Sequence, residues 1–213
     1  MYRNTFLSVM FLACCFNGSL CAQSDAQIYE RTCDAKTYPF SDPSPVATPN
    51  NSYYPYFRFD GFSMQAQEKP WKMVVLENDY VKLTVTPEIG GKIWGAIDKV
   101  NNKEFVYTNG VVKFRDVAMR GPWTSGGIEF NFGIIGHAPT CSTPIDYLTK
   151  KNVDGSVSCH IFSYEWITRT VWNVEINLPK DKAYFTTHTT WFNQSSIDQP
   201  YYQWMNAGYA TKT

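Results

Sequence analysis

The chain has 213 residues, 44% of them hydrophobic and 18% charged, with 19 basic against 19 acidic side chains. That composition excludes a disordered tail and is enough for one sizeable core. The balanced charge excludes the field by which proteins hold nucleic acid or an anionic membrane surface, so neither is an expected partner.

Residues 1–22 read as a secretory signal peptide. Arg3 supplies a positive start, Thr5 to Phe16 form an apolar run, and Ser19 to Ala22 offer a small-residue exit. The run is shorter than the roughly 20 apolar residues that span a bilayer. Cleavage near Ala22–Gln23 is expected, giving a secreted or periplasmic protein with no membrane insertion after the signal is removed. Losing Arg3 leaves 18 basic residues against 19 acidic ones. Cys14, Cys15 and Cys21 fall in the signal, where the flanking residues make a poor lipobox. Cys33, Cys141 and Cys159 remain, and an odd number in an oxidising compartment allows at most one internal disulfide, for which Cys141 with Cys159 is the preferred pair.

Residues 23–70 are rich in Pro, Ser, Asp and Asn and read as an extended leader wrapping onto a domain, with one strand near Tyr56 to Phe59. From Trp71 the texture becomes a series of hairpins. Met73 to Glu77, Val81 to Thr86, Lys92 to Asp98, Glu104 to Tyr107 and Val111 to Phe114 are short β-rich runs separated by Asn-Asp, Gly-Gly and Asn-Asn. The pattern returns in Ser156 to Glu165, Ile167 to Ile176, Ala183 to Asn193 and Tyr201 to Tyr209, with turns at Asp154-Gly155, Pro179-Lys180 and Asn193 to Pro200. No segment has a useful helical period, so the predicted class is all-β, sandwich or barrel.

Between these two groups, Arg120-Gly-Pro-Trp-Thr-Ser-Gly-Gly-Ile-Glu-Phe-Asn-Phe-Gly-Ile-Ile-Gly-His137 gathers an arginine, a carboxylate, an amide, a tryptophan and a histidine between glycines. Those are the groups of a sugar site. Strand alternation buries Ile128, Phe130 and Phe132 and presents Glu129 and Asn131 together on the other face. The plain alternative is an edge strand with a solvated outer face. Of the seven tryptophans, most are expected to fill the core, leaving one or two for a platform that stacks on a pyranose ring.

The chain has no Gly-x-Ser-x-Gly, P-loop, dinucleotide fingerprint, Cys-x-x-Cys or His-Glu-x-x-His. His137, His160 and His188 are too scattered in sequence for a metal site, so no metal and no cofactor are expected. Paired carboxylates for glycoside hydrolysis are available in Glu129, Asp146, Glu165 and Glu175, but spacing alone fixes no separation between them.

Several segments carry a resemblance. Thr86-Pro-Glu-Ile-Gly-Gly-Lys-Ile-Trp-Gly-Ala-Ile-Asp-Lys99, Glu104 to Tyr107, Arg120 to Gly133 with Gly136-His137, and Trp204-Met-Asn-Ala-Gly208 resemble an uncharacterised secreted bacterial domain, often followed by tetratricopeptide repeats, of the galactose mutarotase-like (aldose 1-epimerase-like) superfamily. The resemblance runs from about Trp71 to the last residues, with Arg120 to Gly133 as its most specific part. It implies a large antiparallel β-supersandwich with a carbohydrate-binding concave face. It also implies that these residues are the N-terminal part of such a sandwich, incomplete at the C-terminus. True mutarotases use a histidine as general acid and a glutamate as general base; the segment matched to the histidine motif, Tyr202 to Tyr209, contains no histidine and offers Asn206 instead. An amide has no titratable proton to deliver near neutral pH.

The expected function is therefore carbohydrate recognition within a larger glycan-processing protein. Arg120, Trp123, Asn131, Trp204 and Asn206 would bind the ligand, with Glu129 and His137 as proton carriers if the complete protein is catalytic. The alternatives are a glycoside-processing or sugar epimerase domain, and a non-catalytic module that positions a repeat array.

Overall fold

Turns rich in Asn, Asp and Gly break the chain into short strands, and these account for almost all regular structure among the described residues. Those are 24–49, 53–117, 120–133 and 136–211 of a computed structural model. The signal peptide expected at 1–22, with Cys14, Cys15 and Cys21, lies outside them. In chain order the strands are β1 (Gln27–Tyr38), β2 (Gln67–Glu77), β3 (Val81–Thr86), β4 (Lys92–Asp98), β5 (Lys103–Val106), β6 (Val112–Lys113), β7 (Arg115–Val117), β8 (Gly121–Trp123), β9 (Ile128–Phe132), β10 (Asp146–Lys151), β11 (Val157–Glu165), β12 (Thr170–Leu178), β13 (Thr186–Asn193) and β14 (Gln203–Ala207).

The main sheet has the order β14-β9-β4-β3-β2-β1-β6, with β5 also on β4, and a second sheet runs β10-β11-β12-β13. A small β7-β8 ribbon completes the set. All pairings are antiparallel except β1 with β6. The all-β sandwich expected from the sequence is what forms.

The two sheets meet over one apolar layer. Val74 and Leu76 of β2, Leu83 and Val85 of β3, Ile93 of β4, and Ile128, Phe130 and Phe132 of β9 pack against Cys159 and Ile161 of β11 and Trp172, Val174 and Ile176 of β12. Phe132 and Trp172 stack with ring centroids 4.6 Å apart and planes at 9°. The opposite face of the main sheet carries a smaller cluster of Trp71, Met73, Ile89, Trp94, Val112 and Phe114. Trp71, Trp94 and Trp172 are thus core residues, whereas Trp166 is 67% exposed. At one end Asn78 ties the sheets together: its Nδ2 donates to the carbonyls of Pro179 at 2.7 Å and Lys182 at 2.8 Å, while its Oδ1 accepts from Tyr80 and Val81 N–H.

Four strands escaped the sequence reading: the two of the short β7-β8 ribbon, β1 and β10. β1 pairs with β2 over nearly its whole length, from Gln27↔Glu77 to Thr37↔Gln67, so residues 27–38 are a strand of the main sheet. Their charges blur any apolar alternation, because most of β1 is exposed. β10 is likewise mostly exposed. Pro70 sits in the part of β2 that pairs with β1 but not with β3, where the ladder on one side is absent and a missing N–H costs little. No strand forms at 56–59; Tyr56 has φ 69° and the segment turns.

The Cys141–Cys159 pairing is corrected: Cys33, Cys141 and Cys159 are all free. Cys159 points from β11 into the layer between the sheets. Cys141 belongs to the loop after β9 and donates toward the Pro122 carbonyl at 3.5 Å, on the face of β9 away from that layer.

Because Phe130 is 2% exposed at the centre of the inter-sheet layer, Phe130→Ala is expected to destabilise the protein by about 3 to 5 kcal/mol. Urea denaturation read by far-ultraviolet circular dichroism checks this; a loss below 1 kcal/mol would mean that β9 does not anchor the two sheets.

Candidate functional site

Alternation on β9 places Glu129 and Asn131 on the face opposite Ile128, Phe130 and Phe132, as the sequence predicts. Their surroundings differ from a solvated edge: Glu129 is 2% and Asn131 0% exposed. Register carries the polar row across neighbouring strands. Asn206 and Trp204 of β14 lie opposite Glu129 and Asn131. On the other side Ile93↔Ile128 pairing brings Lys92 of β4 beside Glu129, and Thr86 of β3 lies opposite Lys92 and donates its hydroxyl to the Lys92 carbonyl at 3.1 Å.

The loop after β9 lies over Glu129 and Asn131, which are shut from water. His137 Nδ1 lies 2.5 Å from Glu129 Oε1, which also accepts from Asn131 Nδ2 at 2.9 Å. Asn131 Oδ1 in turn accepts from the Ala138 N–H at 2.8 Å. The loop can approach because residue 90 is glycine: with φ 65°, a Cβ there would stand 2.6 Å from the Thr140 carbonyl oxygen and 2.8 Å from the Cys141 carbonyl carbon. Two indoles flank the imidazole, Trp204 at 4.9 Å and Trp123 at 6.0 Å between ring centroids, both edge-to-face. Among the described residues, the buried Nε1 atoms of Trp123 and Trp204 and Oε2 of Glu129 have no hydrogen-bond partner.

Lys92 is 2% exposed, and its ammonium donates to the Thr124 carbonyl and, at 3.2 Å, to the Thr124 hydroxyl. Burial pulls its amine down from 10.5 to about 8 against the opposing pull of Glu129 and Cys141. Burial, reinforced by Glu129, pushes the Cys141 thiol up from 9.0 to about 12.

The site therefore gathers Glu129, Asn131, His137, Trp123 and Trp204, with Asn206 next to Glu129 across the ladder. Arg120 stands apart. It is 3% exposed, its Nη1 donates to the Tyr54 carbonyl at 2.7 Å, and the carboxylate acting on it is Glu165. Desolvation lowers its pKa.

No second carboxylate faces Glu129 among the described residues. Glu165 is engaged by the N–H groups of Ile167 at 3.1 Å and Thr168 at 2.6 Å. Glu175 lies on the second sheet and accepts from Ser158 Oγ at 2.7 Å, and Asp146 is exposed at the start of β10.

Lys92, Thr124 and Cys141 were missed by sequence reasoning. A signal existed for the first: Lys92 is the lone cation in the run Ile89 to Ile97, and a cation inside an apolar strand needs a buried partner. Chemically, an imidazole whose Nδ1–H points at Glu129 keeps Nε2 as an acceptor or, once protonated, a donor. One ligand atom each from Glu129, His137 and Cys141 lies within 4.8 Å of the others. Cavities of about 210 and 260 Å³ lie nearby, lined by Tyr54, Phe57, Thr140 and Glu165 in one case and by Phe40, Trp71, Phe114 and Ser142 in the other; neither is lined by Glu129 or His137.

Comparison with known proteins adds two findings. The model of the family described as "Domain of unknown function (DUF5107)" matches residues 48–212. Among solved structures, a TPR-domain containing protein from Parabacteroides distasonis ATCC 8503 is similar with a TM-score of 0.78 and 27% sequence identity. The similarity covers 87% of this chain and 32% of that one, so the chain spans about a third of that protein's length.

Asn131→Ala would strand the Ala138 N–H and take away one donor to Glu129, so a loss of about 1 to 3 kcal/mol is expected by denaturant titration, well above a surface value. Lys92 yields a pH prediction. Below about pH 8 its desolvation cost is present in full; between about 8 and 10.5 the unfolded chain holds a proton that the folded chain has released, so stability rises with pH. The buried thiols of Cys141 and Cys159, raised from 9.0 to about 12, act oppositely and lose stability as pH rises above 9.0. The difference between wild type and Lys92→Met isolates the amine. From pH 8 to 10 it should move toward wild type by about 1 kcal/mol per pH unit; a flat difference would mean that the ammonium is not desolvated.

Proposed function

The chain belongs to the DUF5107 family, and from that premise we propose that it is a carbohydrate-recognising β-sandwich of the galactose mutarotase-like kind, binding through the Glu129–His137 face. One observation carries the reading. Two indole N–H groups and a carboxylate oxygen gather around a single imidazole, buried and without partners among the described residues. The donors call for an acceptor and the carboxylate for a donor. A hydroxyl is both at once, and a sugar ring carries several side by side. A phosphate or carboxylate ligand would satisfy the indoles but meet Glu129 as a like charge. The half-buried indole of Trp204 adds a flat apolar surface of the kind that packs on a pyranose.

Ring opening is a separate matter. At the position matched to the mutarotase acid stands Asn206, directly across the ladder from Glu129, and an amide supplies no proton. The imidazole comes from the loop instead, with Nδ1 committed to Glu129. We therefore assign recognition without mutarotation, in a secreted or periplasmic protein exported by residues 1–22. A glycan-binding part of a larger protein is consistent with its similarity to a portion of a TPR-domain containing protein.

A second reading has its own support: the near-complete burial of Glu129 and Asn131 suits a module whose polar network only pins the loop. Calorimetry of the full-length protein against neutral and uronic oligosaccharides separates the two. Expected are saturable binding to a glycan and, for Glu129→Gln with its fold verified by circular dichroism, a loss of about 1.5 to 3 kcal/mol. Polarimetry should show no acceleration of mutarotation. Absence of binding to every glycan would leave the structural module, and rapid mutarotation would restore an acid that Asn206 cannot be.

A further inference from the structure

We propose that Glu129, His137 and Cys141 form a zinc-binding site with one coordination position left open, a property that neither rests on nor follows from carbohydrate recognition. The three residues offer oxygen, nitrogen and sulfur, and one ligand atom from each lies within 4.8 Å of the other two. Ligand atoms around tetrahedral zinc stand about 3.3 to 3.7 Å apart, given metal distances of roughly 2.0 to 2.3 Å. Displacements of about 1 Å convert one arrangement into the other.

Glu129 supplies an independent observation. It is 2% exposed, and its Oε2 has no partner among the described residues although Oε1 accepts from both Asn131 and His137. A buried carboxylate oxygen left unsatisfied is costly unless something positive meets it.

The supports of the three donors are those of a held site. Glu129 is on a central strand, oriented by Asn131 Nδ2 in the manner of an outer-shell partner. His137 and Cys141 lie four residues apart in one loop, braced by Ala138 N–H on Asn131 Oδ1 and by Cys141 N–H on the Ala138 carbonyl at 3.0 Å. The thiol excludes calcium and magnesium, which take oxygen ligands, and with an imidazole favours zinc. The sequence reading looked for histidine clusters and so passed over a mixed set.

The proton balance is simple. Sγ–H gives its proton to solvent and its lone pair to zinc. The proton on His137 Nδ1 is replaced by one on Nε2, leaving the imidazole neutral with Nδ1 as ligand, and Glu129 donates from a carboxylate oxygen. No electron is transferred. The fourth position takes water or a ligand oxygen.

The test uses the full-length protein, stripped with a chelator and free of sugar. Calorimetry with Zn²⁺ should give one site per chain. With Co²⁺ in its place a sulfur-to-cobalt charge-transfer band should appear in the near ultraviolet, vanish in Cys141→Ser and persist in Cys33→Ser, whose thiol is the half-buried one on β1. Glu129→Gln should weaken zinc at least tenfold. If Cys141→Ser fails to fold, X-ray absorption of the wild-type zinc protein decides the matter by showing one sulfur in the zinc shell. No saturable zinc binding, a shell without sulfur, or a band that survives in folded Cys141→Ser would overturn the site. Glycan titration of the metal-free protein runs separately, so failure of one reading leaves the other intact.

Discussion

Strand β9 is buried on both faces, and the two faces obey different rules. Ile128, Phe130 and Phe132 enter the layer between the sheets, where apolar burial alone suffices. Glu129 and Asn131 face the other way, equally shut from water, and there each polar atom needs a partner or costs about 1 to 3 kcal/mol. The loop after β9 exists in its observed shape to meet that need. His137 comes to Glu129, the Ala138 N–H comes to Asn131, and the chain passes so close to residue 90 that only glycine fits.

The same enclosure sets the electrostatics. Lys92 lies in a neighbouring strand beside Glu129, and its ammonium leans on Thr124 rather than on solvent. A cation and a carboxylate in one dry row stabilise each other, yet desolvation still dominates the amine. Arg120 repeats the arrangement one step away, with the Tyr54 carbonyl and the charge of Glu165. Segment 53–57 is therefore joined to the site's surroundings through a backbone carbonyl, a link that no local pattern reveals.

What could be read in the chain was what local rules control. Period-two alternation and turn residues place β3, β4, β9 and β11 to within a residue or so, because each has an apolar face toward the inter-sheet layer. β1 and β10 were not legible: their charged, exposed residues owe strand geometry to the pairing partner and not to their own composition. Glu129, Asn131, His137, Trp123 and Trp204 were legible as a set because four of them fall in one motif and the fifth in a matched segment. The direction of Arg120 was not legible, because proximity in sequence says nothing of where a side chain points, and its Nη1 leaves the motif for the Tyr54 carbonyl. Lys92 and Cys141 converge through sheet register and a loop path, both of which are long-range facts.

The origin of the imidazole bears most on chemistry. A catalytic histidine carried on a strand beside the glutamate would keep a fixed distance from it, with room for substrate between. Here the strand position opposite Glu129 holds Asn206, while the ring arrives from a loop and comes within 2.5 Å of the carboxylate. An imidazole and a carboxylate in direct contact hold one another in place. Such a pair works well as a fixed dipole that orients a ligand, or as two donors to a cation that takes the proton's place.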